Sequence, residues 1–105
     1  MNESLPAGLT AYKRTPIFDQ DSLPAGLRRE HRTKAGVWAL IHVVEGSLLY
    51  RILDPPGEQI LTVGTPGIVS PEQPHEVTPL GAMRMFVEFY SAREVQGGPH
   101  TSRIL

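Results

Sequence analysis

Glycine and proline punctuate this chain along its whole length, and that spacing limits its fold more than any other feature. Ten glycines and ten prolines stand among 105 residues, and both residues break helices and make turns. Between them lie short runs rich in β-branched and aromatic residues, which favour strands. Val37–Glu45 is one such run; Gly46-Ser47 follows directly and Leu48–Leu53 resumes, a pattern of strand, tight turn and strand. Asp54-Pro55-Pro56-Gly57 forces another reversal before Glu58–Val63, and Gly64-Thr65-Pro66-Gly67 ends that segment. Ile68–Ser70, His75–Thr78 and Met83–Ser91 read as three more strands, separated by Pro71–Pro74 and Pro79–Gly81. Thr10–Pro16 reads as an edge strand, because a proline there is tolerated only where no neighbour needs its missing N–H. No stretch reads as a long helix. Such a series of short strands and turns fits a sandwich or small barrel.

A chain of 105 residues holds one domain. Residues 1–9 are expected to be a flexible lead-in, 10–91 the β-domain, and 92–105, with Gly97-Gly98-Pro99, a loose tail. The hexapeptide Ser-Leu-Pro-Ala-Gly-Leu occurs at Ser4–Leu9 and again at Ser22–Leu27; two copies do not make a solenoid, and each reads as an extended or turning approach to a strand. The absence of cysteine removes disulfides, thiolate metal sites and cysteine nucleophiles. With a net charge of −1 the molecule has no overall attraction to nucleic acid, and no apolar run is long enough for a membrane span. The start, MNESLPAGLT, has neither the basic residues nor the apolar stretch of a secretory signal, so a cytoplasmic location is expected. Phosphate-loop, dinucleotide and serine-elbow motifs are absent as well. Val37–Val44 is apolar on both faces, which points to a homodimer, or else to cover from the amino-terminal segment.

Strand alternation places Arg29, His31, Thr33, Val37, Ala39, Ile41 and Val43 on one face, unless Gly36 introduces a bulge. His31 then stands where the core-facing side turns polar, at one mouth of the barrel. The second candidate is His75, which opens a strand after Pro71-Glu72-Gln73-Pro74; two prolines restrict that turn and so fix the histidine's aim. His42 falls on the opposite face, as a structural or interfacial residue, and His100 lies in the tail. Trp38 and Tyr50 read as packing residues that can also line a pocket. Arg28–Lys34 carries four fixed positive charges; it is either a solvated edge or a means of drawing an anion towards His31 through Arg29, Thr33 or Lys34.

Glu45-Gly46 as a first turn, Gly64 opening a second motif, and Pro71 with His75 closing it resemble the two motifs of small cupins. More narrowly, Glu30–Trp38, Glu45-Gly46, Tyr50 and Pro71–His75 resemble the TehB/YeaR-like cupin family, which includes the amino-terminal domains of tellurite-resistance methyltransferases; the likeness runs from about Tyr12 to Tyr90. The resemblance implies a double-stranded β-helix, or jelly-roll barrel, around a mononuclear metal site. It also implies a setting in oxyanion or stress response. The methyltransferase half has no counterpart in these residues. One histidine stands in place of the usual His-x-His pair, with Thr33 two positions on, and the usual first-motif glutamate falls near Ala39. The donors that remain are His31, His75 and a carboxylate, either Glu72 or Glu88. They suit one divalent ion: zinc, nickel, iron or manganese. Three readings stay open: a metal-binding cupin that takes a small anionic ligand, with Arg29, Thr33, Lys34 and Trp38 around it; a metal-dependent oxygenase, isomerase or lyase with Lys34 or Glu88 as acid or base; and a metal-free binding or dimerisation module. Glu88 can equally form an ion pair with Arg84 or Arg29.

Overall fold

The computed structural model describes residues 5–92. Of the tail expected over 92–105 only Ala92 is described, and His100 and residues 1–4 of the lead-in lie outside the described residues. Eight strands follow one another: β1 (Leu9–Arg14), β2 (Phe18–Asp19), β3 (Trp38–Glu45), β4 (Ser47–Leu53), β5 (Pro56–Thr62), β6 (Gly67–Val69), β7 (His75–Pro79) and β8 (Arg84–Ala92). One short 3-10 turn, Ala25–Arg28, lies between β2 and β3.

The strands form two antiparallel sheets. In the first, β1, β8, β3 and β6 lie side by side, with β2 also pairing β8; in the second the order is β5, β4, β7. From β3 onward the chain passes repeatedly between the sheets, which is the jelly-roll arrangement of the cupin barrel. Inward residues alternate as a strand requires. Ala39, Ile41, Val43, Val69, Met85 and Val87 of the first sheet meet Leu48, Tyr50, Leu61 and Val77 of the second, and all are buried. Each large apolar side chain removed from water contributes about 1.5–3 kcal/mol, so these two facing layers dominate stability.

The reversal at Gly46 is a corner between sheets and not a hairpin, since β3 and β4 share no ladder. Two constraints select glycine there. Its φ is +77°, and a Cβ would sit against the Ala82 carbonyl and 2.9 Å from Met83 Cα. The true hairpin is β4–β5, closed by Asp54-Pro55 with Leu53 opposite Pro56.

The second hexapeptide copy departs from the expected approach to a strand. The Asp19 carboxylate accepts from the N–H groups of Asp21 and Ser22, each at 2.8 Å, and those bonds hold its pKa below the ordinary carboxylate range. The chain is thereby curled back. Leu23 then buries itself, the 3-10 turn follows, and the Arg28 guanidinium donates to the Gln20 carbonyl at 2.7 Å. Residues 19–28 thus form a cap over one end of the barrel. Gly46→Ala is expected to destabilise the domain by at least about 2 kcal/mol, through the left-handed φ and the clash together, as read from the urea unfolding midpoint.

Candidate functional site

At the capped end, the segment after the 3-10 turn meets the start of β7. The His31 N–H donates to the His75 carbonyl at 2.8 Å, and the His75 N–H donates back to His31 at 2.9 Å. This reciprocal pair brings the imidazoles together, with ring centroids 5.5 Å apart and planes at 85°. Tyr50 approaches His75 edge-on at 5.8 Å, while its hydroxyl donates to the Ile68 carbonyl at 2.7 Å.

The turn before β7 fixes the aim of His75. Its Nδ1 lies 2.9 Å from the Gln73 carbonyl oxygen. A carbonyl only accepts, so Nδ1 carries the proton and Nε2 keeps a free lone pair. Glu72 occupies the left-handed region with φ +60°, and its N–H points back to Thr33, 3.2 Å from both the carbonyl oxygen and Oγ1. The Thr33 hydroxyl in turn donates to the Val37 carbonyl at 2.8 Å. Burial lowers the pKa of both imidazoles. For His75, desolvation is opposed by the bond to Gln73 and reinforced by His31, because the two neighbouring rings resist carrying charge together. Both rings are therefore held neutral, the form in which imidazole accepts a proton or binds a metal.

Behind the histidines lies a cavity of about 270 Å³ between the sheets and under the cap. Its walls are mainly apolar: Ala39, Ile41, Val69, Met85, Val87 and Phe89 from the first sheet, roofed by Phe18 and Leu27. Among the residues singled out in the sequence, His31, His75 and Thr33 line this cavity.

The others stand elsewhere. Arg29 and Lys34 are exposed and do not line the cavity, because Lys34–Gly36 forms a turn closed by the Val37 N–H on the Lys34 carbonyl at 3.0 Å. Trp38 alternates to the outer face of β3, opposite Tyr90. Glu72 is exposed, with its backbone rather than its carboxylate turned towards Thr33. Glu88 lies on the outer face of β8, where His42 Nε2 is 3.2 Å from Oε1, Tyr90 donates at 3.0 Å and Arg14 stands 4.0 Å from Oε2. Neither carboxylate, Glu72 or Glu88, is turned towards the histidine pair in this arrangement. Among the described residues, no three His, Cys, Asp or Glu side chains group to hold a metal ion.

Two cavity residues had no sequence signal. Lys13, itself exposed, and half-buried Thr15 lie on the cavity side because the β1–β8 register shifts between Ala11 and Lys13, leaving Tyr12 extra and Arg14 on the outer face against Glu88. A one-residue irregularity of this kind cannot be read from alternation.

The TehB-like domain family matches residues 13–87. The chain belongs to that family. It is 30% identical over 92 residues to the probable S-adenosyl-L-methionine-dependent methyltransferase TehB of Haemophilus influenzae, covering 82% of this chain and 32% of that protein. The crystal structure of H. influenzae TehB superposes with a TM-score of 0.75 at 28% identity, over 82% of this chain and 32% of that one. This TehB-like chain therefore spans about a third of the length of those relatives. A crystal structure of an E. coli (strain K12) protein agrees in fold over 89% of this chain and 100% of its own, with a TM-score of 0.82 at 20% identity. FeII HppE agrees in fold more distantly, with a TM-score of 0.52 at 17% identity over 78% of this chain and 42% of its own. No helix among the described residues is long and apolar enough to cross a membrane.

The lowered imidazole pKa values give stability a pH dependence. The unfolded chain takes up protons near pH 6.5, whereas the folded one does so only at lower pH. Stability is full above about pH 6.5 and falls as pH drops towards the folded values. Thermal melts between pH 8 and 5 should show this loss, and His75→Gln should flatten it.

Proposed function

We propose that this TehB-like domain is a small-ligand-binding module in which His31 and His75 hold one divalent metal ion beside a cavity that takes a small anionic molecule. One observation carries the reading: the Gln73 carbonyl fixes the tautomer of His75 and leaves Nε2 free, next to a second neutral imidazole. Metal-bound histidines are usually oriented in this way, by a carbonyl or carboxylate on the other ring nitrogen. The donor set fits a divalent ion through two nitrogens and offers it no carboxylate, which favours zinc, nickel or iron over manganese. With only two protein donors, the remaining coordination positions are left to water or to the bound molecule. The FeII of HppE supports the metal at the level of fold analogy only. The setting in oxyanion or stress response rests on the family resemblance.

Elemental analysis of protein purified without an affinity tag tests the metal. Wild type is expected to carry close to one equivalent, and His31→Ala and His75→Ala well under half. Glu72→Gly should keep its metal and lose no stability, since glycine suits φ +60° and the carboxylate is not needed. Wild type below half an equivalent, matched by both histidine variants, overturns the metal reading.

The proposal extends to a homodimer through the outer face of the first sheet, where Trp38, Leu40, His42 and Phe86 are half-buried and apolar or aromatic in the main. Arg14, 4.6 Å above the Phe86 ring, provides part of the cover expected from the amino-terminal segment. Light scattering at micromolar concentration should return a dimer mass; a clean monomer removes this part of the proposal.

A further inference from the structure

The cavity has little use for a bare inorganic oxyanion. Its walls are mainly hydrocarbon, and the polar groups that reach it are largely engaged. Thr15 Oγ1 donates to the Pro16 carbonyl at 2.8 Å and accepts from the Val87 N–H at 3.0 Å. Thr33 Oγ1 is held between Val37 and Glu72, and His75 Nδ1 by Gln73. A hydrated ion or a polyol entering here would give up water without finding partners to replace it.

Among the described residues, one fixed charge borders the space: Lys13, an exposed side chain on the edge strand β1, with no acidic side chain beside it in the lining. Its neighbour Arg14 is taken up by Glu88 and Phe86, and Arg51 by Glu58 and Glu76, whereas Lys13 has no ion pair among the described residues. An apolar cavity with an ammonium at its solvent-facing rim is complementary to a molecule with a hydrocarbon body and one negative end, the body inside and the charged end at the mouth. Volume limits the body. A cavity of about 150 Å³ accepts a six-carbon ring, so about 270 Å³ corresponds to roughly ten heavy atoms.

We infer that the cavity binds a small amphiphilic carboxylate, an aliphatic or aromatic monoacid of about seven to ten heavy atoms, with Lys13 as the counter-ion of its carboxylate. This deepens the reading of the cavity as a ligand site and does not depend on the metal. Ala39 makes the room: a side chain that is 1% exposed and ends at Cβ leaves the space to the ligand.

The test is titration calorimetry, with methyl NMR of the cavity walls, on the full chain in both zinc-loaded and chelator-treated forms. The probes are heptanoate, heptanamide, heptylamine and tellurite. Heptanoate is expected to bind saturably to both forms and to shift the Val69, Val87 and Met85 methyls. Heptanamide on wild type, and heptanoate on Lys13→Met, should each bind at least about tenfold more weakly, the loss of one charge-assisted bond. Lys13→Arg should retain heptanoate, and Lys13→Glu should exchange that preference for heptylamine, a reversal that a merely structural lysine would not produce. Ala39→Leu should lose heptanoate while retaining metal. The inference is overturned if wild type shows no saturable heptanoate binding, if Lys13→Met binds heptanoate as wild type does, or if tellurite matches heptanoate in affinity and in methyl shifts. Lys13-dependent heptanoate binding by a protein that is metal-free as purified and takes up no zinc on loading would sink the metal proposal and leave this one standing. Full metal occupancy without heptanoate binding would do the reverse.

Discussion

Two backbone hydrogen bonds between His31 and His75 organise the functional end of this barrel. The segment before β3 has no ladder of its own beyond that single bridge. The Glu72 N–H, shared between the Thr33 carbonyl and hydroxyl, adds a second polar tie to the turn before β7. The bridge also does something that a longer strand pairing would not. It places two imidazoles edge to face, with ring centroids 5.5 Å apart, beside the cavity. Burial then holds both rings neutral. The histidine pair, the cavity and the cap are consequences of one register.

Much of the barrel was legible because turn chemistry is explicit. Gly46, Asp54-Pro55 and the Pro71–Pro74 turn mark reversals wherever they occur, and strands fill the intervals. The cap was not legible, for a physical reason. The described part of the first copy, 5–9, leads into β1, whereas the second copy forms the cap with its 3-10 turn. The difference is made by Asp19, which precedes the hexapeptide and whose carboxylate collects neighbouring N–H groups, and by the tertiary burial of Leu23, whose counterpart Leu5 is only half-buried.

The site shows the same division. His31 and His75 could be found because a turn and a strand start fix where they point. The carboxylates could not be placed. In β8, Met85, Phe86, Val87, Phe89 and Tyr90 put apolar or aromatic groups on both faces, so alternation does not say which way Glu88 looks; pairing with β3 and β1 decides it, and it looks outward. Lys13 was hidden by the irregularity at Tyr12, which reverses the sense of alternation within β1. Arg29 and Lys34 attract attention by charge density, but charge density marks solvent as often as it marks a site.

The first and last strands described are partners: Leu9 stands opposite Ala92, and Thr10 opposite Ser91. Chain therefore enters and leaves the barrel at neighbouring points on one sheet edge. A unit built in this way hangs from its flanking sequence like a bead from a loop of thread, and its interior is indifferent to what is attached. That geometry suits a domain that spans a third of a larger relative and the whole of a smaller one. Fusion at either end would leave the spacing of the two sheets, and with it the cavity, unchanged.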